Sequence, residues 1–240
     1  MIEQIKIAGK TILVTGANRG IGNALVEEAL RRGAKRVFAC TRTPFTHPDA
    51  RVTPLILDVT NDALIEKAVE QVGSLDILIN NAGVAQYDNL SDRAMIERHM
   101  AVNFFGIFNL SQAFIPALIR SSGAIVNILS LASLASIPPI ASYSISKAAA
   151  FSLTQSQRAF LAPKGVSVHA VITGPVDTDM NRGFDIPKIP TELAAKGIFN
   201  GIENNEEDIF PDPLSASIAD SWRGGAVKAM ERQNATFVSN

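Results

Sequence analysis

Hydrophobic and polar residues follow two alternating patterns along the first 180 positions. Short apolar runs rich in β-branched residues, as buried strands require, are separated by longer segments with helical periodicity. The predicted strands are Thr11–Thr15, Arg36–Thr41, Thr53–Leu57, Leu75–Asn80, Ala124–Leu129 and Val166–Ile172. This alternation predicts an α/β fold, a Rossmann-type doubly wound parallel sheet with helices on both faces.

Cap and breaker residues mark where the predicted helices begin and end. Asn61 is placed to cap a helix after the third strand, and Gly33 and Pro163 stop the helices that precede the second and sixth strands. Two longer helices are expected over about 92–120 and about 142–161. Helices therefore connect successive strands, as they do in βαβ units.

No linker is visible along the chain, so we expect a single domain over 1–240. The pattern changes after Thr178, because prolines and asparagines interrupt it. We expect an irregular substrate lobe over 179–215. A C-terminal helix and tail are expected over 216–240, with the helix at about 217–233.

Composition and charge exclude several classes of protein. The net charge is −1 with no long run of basic residues, so neither nucleic acid nor an acidic membrane surface is an expected partner. One cysteine and three histidines are too few for a disulfide framework or a zinc cluster, so no metal is expected. The apolar stretch 124–141 contains Asn127 and Pro138-Pro139, so we do not expect it to cross a membrane. Because the N-terminus lacks a signal-peptide pattern, we expect a cytoplasmic protein.

A glycine-rich turn directly follows the first strand. It reads Gly16-Ala17-Asn18-Arg19-Gly20-Ile21-Gly22 and continues into a helical pattern. Gly16 permits a tight turn, and Gly20 and Gly22 let the helix N-terminus approach a pyrophosphate, whose charge the helix dipole favours. The context of strand, turn and helix predicts dinucleotide binding, with a purely structural turn as the alternative.

Tyr143 and Lys147 are four residues apart at the start of a predicted helix, so their side chains share one face. Reduction of a carbonyl needs a proton donor for the developing alkoxide, and a free tyrosine is a weak acid at neutral pH. An ammonium about 4 Å away contributes roughly 4 kcal/mol at an effective dielectric of about 20, enough to lower the phenol pKa by up to about three units. Taken alone, the pair is also compatible with ordinary surface packing.

Four further features follow the glycine turn in the order found in one enzyme family. They are Asn80-Asn81-Ala82-Gly83, Asn103 within Val-Asn-Phe, Ser130, and the pair Tyr143 and Lys147, with Ser130 13 residues before Tyr143. These motifs cover about residues 10–180, and the sequence resembles the short-chain dehydrogenase/reductase family. The resemblance is closest to its NADP-preferring carbonyl reductases and alcohol dehydrogenases.

The resemblance implies a role for each of four catalytic residues. Tyr143 is the expected general acid and base, and Lys147 is expected to lower the tyrosine pKa and to hold the nicotinamide ribose. Ser130 is expected to donate a hydrogen bond to the substrate carbonyl oxygen. Asn103 is expected to hold a water that links Lys147 to solvent. The implied function is hydride transfer between NADP(H) and a carbonyl or secondary alcohol.

The end of the second predicted strand distinguishes the two nicotinamide cofactors. Enzymes that bind NAD place an acidic residue there, whereas this chain has Thr41 followed by Arg42. A guanidinium can hold the 2′-phosphate of NADP, and Arg19 adds a second cation, so NADP(H) is expected over NAD(H). The alternative is that Arg42 is a solvated loop residue. Asp58 and Val59 resemble the family's adenine-contacting pair, although Asp58 could instead cap a turn.

The complete set of implied cofactor contacts lies at the glycine turn, at the ends of strands two to four, at the catalytic helix and after strand six. It comprises Gly16, Asn18, Arg19, Gly20, Ile21, Gly22, Thr41, Arg42, Asp58, Val59, Asn80, Ala82, Gly83, Tyr143, Lys147, Gly174, Val176 and Thr178.

The chain departs from the family pattern after the sixth strand. Thr173 stands where the family has a proline before Gly174, which leaves the shape of this loop open. We find neither the family's seventh strand in 208–212 nor its Asp-Gly-Gly-like signature, which puts the family's tetramer in doubt. A homo-oligomer is still expected, with a dimer formed through the helices that contain Asn103 and Tyr143.

The residues expected around the substrate are apolar apart from the tyrosine. They are Val84, Leu131, Ile137, Tyr143, Pro175, Met180 and Phe184. A pocket without lysine or arginine argues against small carboxylate or phosphate substrates, so we expect an apolar ketone, aldehyde or secondary alcohol.

Two other functions compete with this prediction. A regulatory protein could bind NADP as a sensor without turnover, which the intact serine, tyrosine and lysine disfavour. An epimerase or dehydratase is disfavoured by the glycine spacing. The remaining reactive residues are not assigned chemistry: His99 is expected on a helix surface, His169 in a strand and Cys40 in the core.

Overall fold

A parallel sheet of seven strands runs through the part of the chain described by this computed structural model, residues 5–183 and 185–238. Its spatial order is β3-β2-β1-β4-β5-β6-β7. The strands are β1 (Thr11–Thr15), β2 (Arg36–Thr41), β3 (Val52–Ile56), β4 (Ile77–Asn80), β5 (Ala124–Ile128), β6 (Ser167–Val171) and β7 (Asp208–Ile209). The order reverses between β1 and β4, so the predicted doubly wound sheet is confirmed.

Helices cover both faces of the sheet. They are α1 (Gly20–Arg31), α2 (Asp62–Val72), α3 (Arg93–Met100), α4 (Gly106–Ser121), α5 (Ala141–Leu161), α6 (Thr191–Glu203), α7 (Pro213–Ala216), α8 (Ala219–Arg223) and α9 (Ala226–Ala235). One core cluster joins α1 and α6 to the sheet, and a second joins α2 and α4 to its other face. Each strand therefore needs apolar side chains on both sides, which explains the continuous apolar runs in the sequence.

Strand β1 illustrates how one short sequence serves both cores. Val14 packs in the cluster beneath α1 and α6, whereas its neighbour Leu13 packs in the cluster beneath α2 and α4. Successive side chains point to opposite faces because the strand repeats every two residues. β1 pairs with β2 and with β4, so it lies in the interior of the sheet, and the turn that follows it emerges between the two halves.

The helix expected over 92–120 is interrupted in the structure. It begins at Arg93, loosens into a π-helical turn over Ala101–Phe105, and resumes as α4. Such turns insert an extra residue into the helical repeat and re-aim the side chains that they carry, often at functional sites. Here the turn carries Asn103, which it directs into the interior with no exposed surface.

The C-terminal region differs from the sequence prediction in three respects. A seventh strand, β7, pairs with Ala170 and Val171 of β6, so the expectation that it was missing is wrong. Two residues are too few to give a recognisable apolar run. The expected lobe is also more regular, because α6 packs on α1. Finally, the single helix expected over 217–233 is divided into α8 and α9 by Gly224-Gly225.

One continuous helical stretch, Arg93–Ser121, is long and apolar enough to cross a membrane by length and composition alone. It contains α3, the π-helical turn and α4. Its apolar side chains Leu110, Phe114 and Leu118 are buried in the core against the sheet. Its composition is therefore explained by its position in a folded core.

Candidate active site

The glycine turn lies at the crevice between β1 and β4, where the strand order reverses. Gly16 and Gly20 have φ angles of +65° and +53°, a left-handed conformation that side chains rarely adopt. A Cβ on Gly22 would lie 2.1 Å from the Gly16 carbonyl oxygen. The three glycines therefore allow the first turn of α1 to pack against the loop before it, leaving a cradle of bare backbone.

Thr15 and Asn81 hold this cradle against the neighbouring strand. The Thr15 Oγ1 accepts hydrogen bonds from the backbone nitrogens of Asn81 and Ala82, each at 2.9 Å. The Asn81 amide donates back to the carbonyl oxygens of Thr15 at 2.8 Å and of Gly16 at 3.3 Å. Asn81 was not among the predicted site residues. Its place in the Asn-Asn-Ala-Gly motif was the available signal.

Asn80 occupies a different environment from the one expected of a cofactor contact. Its side chain is buried and donates to the Asn127 Oδ1 at 2.8 Å and the Ser111 Oγ at 3.1 Å. Asn127 in turn donates to Thr154 on α5 at 2.9 Å. The alternation of β4 directs the Asn80 side chain into this polar row in the core, so the cofactor contact expected of Asn80 stays a prediction that its side chain does not support.

The end of β2 places Arg42 on the surface near Asp58. Thr41 is buried and its hydroxyl donates to the Thr43 carbonyl oxygen at 2.6 Å. The Asp58 Oδ1 accepts from both the nitrogen and the hydroxyl of Thr60, at 2.9 and 2.7 Å. Burial opposes ionisation of Asp58, but these hydrogen bonds and the Arg42 charge hold its pKa below the usual value. Asp58 thus caps the turn, as the alternative interpretation proposed, and the Arg42 charge lies near enough to act on its carboxylate.

Val59 and Gly83 are held tightly by the helices around them. Val59 is buried, and its Cγ2 would lie 2.7 Å from a Cβ on Gly106. A Cβ on Gly83 would lie 3.2 Å from the Asn103 Oδ1 and 3.7 Å from the Lys147 Nζ. Both positions therefore line narrow gaps between the strand ends and the helices that follow.

The segment after β6 lies across the glycine turn. A Cβ on Gly20 would meet the Thr178 methyl at 3.1 Å, and the Arg19 Nη1 is 3.2 Å from the Asp179 Oδ2. Arg19 is mostly exposed, so this ion pair is a weak contact. Val176 is buried and bridges to Ile189. Of the remaining predicted cofactor contacts, Asn18 is exposed and Ile21 is half-buried at the start of α1.

Ser130, Tyr143 and Lys147 meet at the carboxyl end of β5 and the first two turns of α5. Ser130 precedes a 3₁₀ turn, which its hydroxyl caps, and the same hydroxyl forms a hydrogen bond with the Tyr143 side chain. The Lys147 Nζ lies 5.7 Å from the centroid of the tyrosine ring and donates to the Ile128 carbonyl oxygen at 2.7 Å. All three side chains therefore converge on one corner of the crevice.

Burial dominates the protonation of the tyrosine and the lysine. It raises the pKa of Tyr143 above its usual value, against the opposing effect of the Ser130 hydrogen bond. It lowers the pKa of Lys147 to about 8. The expectation that Tyr143 has a lowered pKa is therefore wrong for this structure, because the buried phenol loses hydration and the ammonium binds the Ile128 carbonyl.

Asn103 is fully engaged with the protein. Its Oδ1 accepts from the Val84 nitrogen at 2.9 Å, and its Nδ2 donates at 2.9 Å both to the Val84 carbonyl and to the Ser146 Oγ. The side chain thus ties the loop after β4 to α5. The side-chain amide donors therefore already have protein partners, and the water-holding role expected of Asn103 stays a prediction.

His99 is buried against the catalytic corner, not on a helix surface as expected. Its ring meets the Tyr143 ring edge to face at a centroid distance of 6.5 Å. Its Nε2 accepts from the Gln86 nitrogen at 3.2 Å, so its Nδ1 carries the proton donated to the Met95 carbonyl oxygen. Helix α3 packs on α5, and this long-range contact turns His99 inward.

The loop after β6 is attached both to the serine segment and to the C-terminal region. The Thr173 hydroxyl donates to the Leu129 carbonyl at 3.0 Å, and the Thr173 carbonyl accepts from the Leu131 nitrogen at 2.9 Å. The Gly174 nitrogen donates to the Asp212 carboxylate at 2.7 Å. Asp212 gave no motif signal, because it lies 38 residues further along the chain.

The predicted substrate-pocket residues include exposed as well as half-buried apolar side chains. Val84, Leu131 and Pro175 are half-buried, while Ile137 and Met180 are exposed. Phe184 lies outside the described residues. Within residues 5–183 and 185–238, no group of three or more histidine, cysteine or acidic side chains could hold a metal ion.

Comparison with known proteins agrees with this geometry. A family model described as short chain dehydrogenase matches residues 10–187. This range is most of the chain, and it contains every residue assigned to the crevice except Ile189 and Asp212. The chain belongs to the short-chain dehydrogenase family. The match begins just before β1 and ends in the segment after β6, so it spans both halves of the doubly wound sheet.

Individual relatives of this short-chain dehydrogenase are fungal and bacterial. The chain is 40% identical over 185 residues to the short-chain dehydrogenase PC-15 of Penicillium crustosum, which is 70% of this chain and 66% of the relative. It is 32% identical over 203 residues to the 3-oxoacyl-(acyl-carrier-protein) reductase FabG of Vibrio cholerae, covering 79% of this chain and 83% of the relative.

Solved structures of other family members superimpose on most of this short-chain dehydrogenase. A short chain dehydrogenase from Burkholderia cenocepacia in complex with NADP gives a TM-score of 0.87 at 35% identity, with 95% of this chain and 98% of that chain covered. An NADPH-bound carbonyl reductase from chicken fatty liver gives 0.75 at 28% identity, with coverages of 84% and 98%. The fold and connectivity are thus shared over nearly the whole chain.

Proposed function

We propose that this short-chain dehydrogenase is an NADP(H)-dependent oxidoreductase that interconverts an apolar ketone or aldehyde with the corresponding alcohol. The observation that carries the proposal is the meeting of Ser130, Tyr143 and Lys147 at the crevice beside the glycine cradle. The family is one of oxidoreductases. The three side chains supply a hydrogen-bond donor for a carbonyl oxygen, a proton donor and a nearby cation, which are the groups that this reaction requires.

The residues of the crevice fit a dinucleotide with a 2′-phosphate. The close approach of Gly22 to Gly16 leaves backbone where a side chain would block a pyrophosphate, and α1 directs its N-terminus to that point. Arg42 is exposed at the end of β2, where no carboxylate follows the strand to repel a phosphate. Solved relatives with bound NADP and NADPH support the same choice of cofactor.

The mechanism assigns the chain's own residues to the oxygen of the substrate. The nicotinamide supplies the hydride when the cofactor is bound. Ser130 donates a hydrogen bond to the carbonyl oxygen, and this bond strengthens as negative charge develops there. Tyr143 transfers its hydroxyl proton to the same oxygen. Lys147, with a pKa of about 8, is mostly protonated at pH 7, and its positive charge favours the phenolate left behind.

The apolar residues expected around the substrate support an apolar substrate. Val84, Leu131 and Pro175 present no charge, and the relatives named above include reductases of carbonyl compounds. We propose that the protein acts in the cytoplasm on a small molecule, without nucleic acid or membrane as a partner.

The exposed surface of the π-helical turn, α4 and α5 supports a homodimer formed through these elements. Phe105 and Phe108 are 50% and 39% exposed, and Ile145 on α5 is 41% exposed. Large apolar side chains concentrated on adjacent helices are typical of surfaces that bind another protein. We propose a second copy of this chain as the partner.

The test follows absorbance of NADPH and NADH with a panel of apolar ketones, aldehydes and alcohols. Tyr143→Phe should lose turnover by about a hundredfold or more, while its Kd for NADPH stays close to that of the wild type. Turnover that survives in Tyr143→Phe contradicts the mechanism. NADPH binding without turnover of any carbonyl contradicts the enzymatic proposal and supports a sensor.

The cofactor preference is tested with Arg42→Ala. It should weaken NADPH binding by about tenfold or more and leave NADH binding nearly unchanged, because only NADPH has the 2′-phosphate. Arg36→Ala is the matched control. Arg36 is an exposed arginine at the opposite end of β2, with its guanidinium 4.7 Å from the Phe38 ring centroid. Equal losses for the two cofactors contradict the assignment of Arg42.

A further inference from the structure

The Asp212 side chain is a helix cap with an unusual position. It precedes the four-residue helix α7, and its Oδ1 accepts from the nitrogens of Leu214 and Ser215 at 3.1 and 3.0 Å. These two bonds satisfy the cap. Yet Asp212 is only 4% exposed, whereas Asp92, which caps α3 in a similar way, is exposed. Helix capping by itself therefore does not account for the burial of this carboxylate.

The second oxygen of Asp212 binds the loop after β6. Oδ2 accepts from the Gly174 nitrogen at 2.7 Å and from the Ser215 hydroxyl at 2.6 Å. A Cβ on Gly174 would lie 2.6 Å from the Asp212 Oδ1, so the two residues are in direct contact. Hydrogen bonds to a carboxylate are among the strongest in proteins. The backbone at Gly174 is thus fixed by a residue of the C-terminal region.

Gly174 is linked to the catalytic serine through the residue before it. The preceding residue, Thr173, donates from its hydroxyl to the Leu129 carbonyl and accepts at its own carbonyl from the Leu131 nitrogen. Leu129 and Leu131 are the two neighbours of Ser130. A continuous path of hydrogen bonds and peptide units therefore runs from Asp212 to the serine segment.

We propose that Asp212 is a positioning residue that fixes the loop over 174–178 for the nicotinamide half of the cofactor and braces the Ser130 segment. This rests on the proposed function, in which Ser130 donates to the reacting carbonyl and Pro175 of that loop is expected beside the substrate. Asp212 acts through Gly174 and does not itself touch the substrate. The same arrangement explains how Thr173 is accommodated where the family has proline, since the Thr173 hydroxyl makes one of the hydrogen bonds that brace the Ser130 segment.

The test compares a whole cofactor with a ligand that lacks the nicotinamide. Asp212→Asn keeps the size of the side chain. Its NH₂ group, however, must face either the two N–H donors at the Oδ1 position or the N–H and O–H donors at the Oδ2 position. The Kd for NADPH should rise by about fivefold, whereas the Kd for 2′,5′-ADP, which contains only the adenosine half, should change by less than about twofold. With the best carbonyl substrate, kcat should fall by about tenfold while KM changes little, because the hydride donor is misplaced.

Two control variants separate positioning from stability. Asp92→Asn weakens a helix cap that has no link to the loop, so its ratio of NADPH to 2′,5′-ADP affinity should equal that of the wild type. Ser215→Ala removes one donor to Oδ2 and retains the carboxylate bond to Gly174, so its ratio should also be close to that of the wild type. Equal weakening of both ligands by Asp212→Asn, or an unchanged ratio, overturns the proposal.

Hydrogen exchange on the wild-type protein provides a second measurement in case Asp212→Asn does not fold. NADPH should slow exchange of the Gly174 and Leu214 amides together, and 2′,5′-ADP should not, because the two amides bind one carboxylate. Independent behaviour of the two amides overturns the proposal. Neither binding measurement needs turnover, so a protein that binds NADPH but reduces no carbonyl would refute the proposed function while still testing Asp212.

Discussion

Replacing Thr15 with valine removes a hydroxyl that holds together the two loops of the dinucleotide crevice. Thr15 is 2% exposed, and its Oγ1 accepts from the nitrogens of Asn81 and Ala82 at 2.9 Å each. Valine has nearly the same shape, so packing is retained, but the acceptor and a long donation from the hydroxyl to the Ile79 carbonyl oxygen at 3.4 Å are lost. The consequence is that the Ala82 N–H at the carboxyl end of β4 loses its partner, whereas the Asn81 N–H keeps a second acceptor, the Ile79 carbonyl oxygen at 3.1 Å.

The expected magnitude follows from the burial of those two groups. An unpaired buried donor costs about 1–3 kcal/mol, and we take the lower end for the half-buried Ala82, with a smaller share for Asn81, which keeps its bond to the Ile79 carbonyl oxygen. Thr15→Val should therefore reduce the free energy of unfolding by about 2 kcal/mol. The Asn81 amide, which bonds Thr15 and Gly16, loses its fixed position at the same time. The Kd for NADPH should rise by about tenfold, equivalent to about 1.4 kcal/mol.

Urea unfolding and titration with NADPH measure the two effects separately. Thr154→Val is the matched control, because Thr154 is a fully buried threonine on α5 whose hydroxyl accepts from Asn127 at 2.9 Å. The control should lose stability and keep its affinity for NADPH. The reasoning fails if Thr15→Val is as stable as the wild type, or if both variants lose the same affinity.

Three further changes have defined outcomes. Gly22→Ala should abolish NADPH binding and lower the melting temperature, since its Cβ would lie 2.1 Å from the Gly16 carbonyl oxygen; wild-type binding in a titration would contradict this. His169 is buried, and burial lowers its pKa to about 4 from 6.5, so its contribution to stability is complete above pH 6.5 and is lost as the pH falls to 4. At about 1.4 kcal/mol per pH unit, this group should cost the wild type about 3 kcal/mol of unfolding free energy between pH 7 and pH 4. His169→Gln should not show that loss in urea unfolding at the two pH values, and an equal loss in the two proteins would refute the assignment. Lys228→Met should cost about 3 kcal/mol in the same assay at pH 7, because Lys228 is 1% exposed and its Nζ lies 2.8 Å from the buried Asp208 carboxylate and 2.9 Å from that of Glu231. A stability within about 0.5 kcal/mol of the wild type would show that Arg158, which also binds Asp208 at 2.8 Å, is a sufficient partner for the buried carboxylate.

The candidate site illustrates how far motifs reach. Tyr143 and Lys147 could be paired from spacing, because residues four apart on a helix share a face whatever the rest of the chain does, whereas Ser130 was implied by the resemblance to the family. Their protonation could not, since the pKa of Tyr143 depends on how deeply α5 is buried and on what Lys147 binds instead. The roles of the catalytic and cofactor residues stay predictions until the variants are measured.

The sequence by itself determined the parallel α/β sheet, the glycine turn after β1 and the family. These follow from local properties: apolar periodicity, the backbone freedom of glycine and spacing within single elements. A doubly covered strand such as β1 has consecutive apolar residues, here Ile12 to Val14, so its place in the interior of the sheet can be recognised in five residues.

Only the tertiary structure decided the contacts between segments far apart in sequence. Asn80 enters a buried polar row because Asn127 lies beside it on the next strand. His99 faces Tyr143 because α3 packs on α5. Asp212 reaches Gly174 across 38 residues. Each depends on a partner that no local pattern specifies, since the free energy of these contacts arises only after folding brings the segments together.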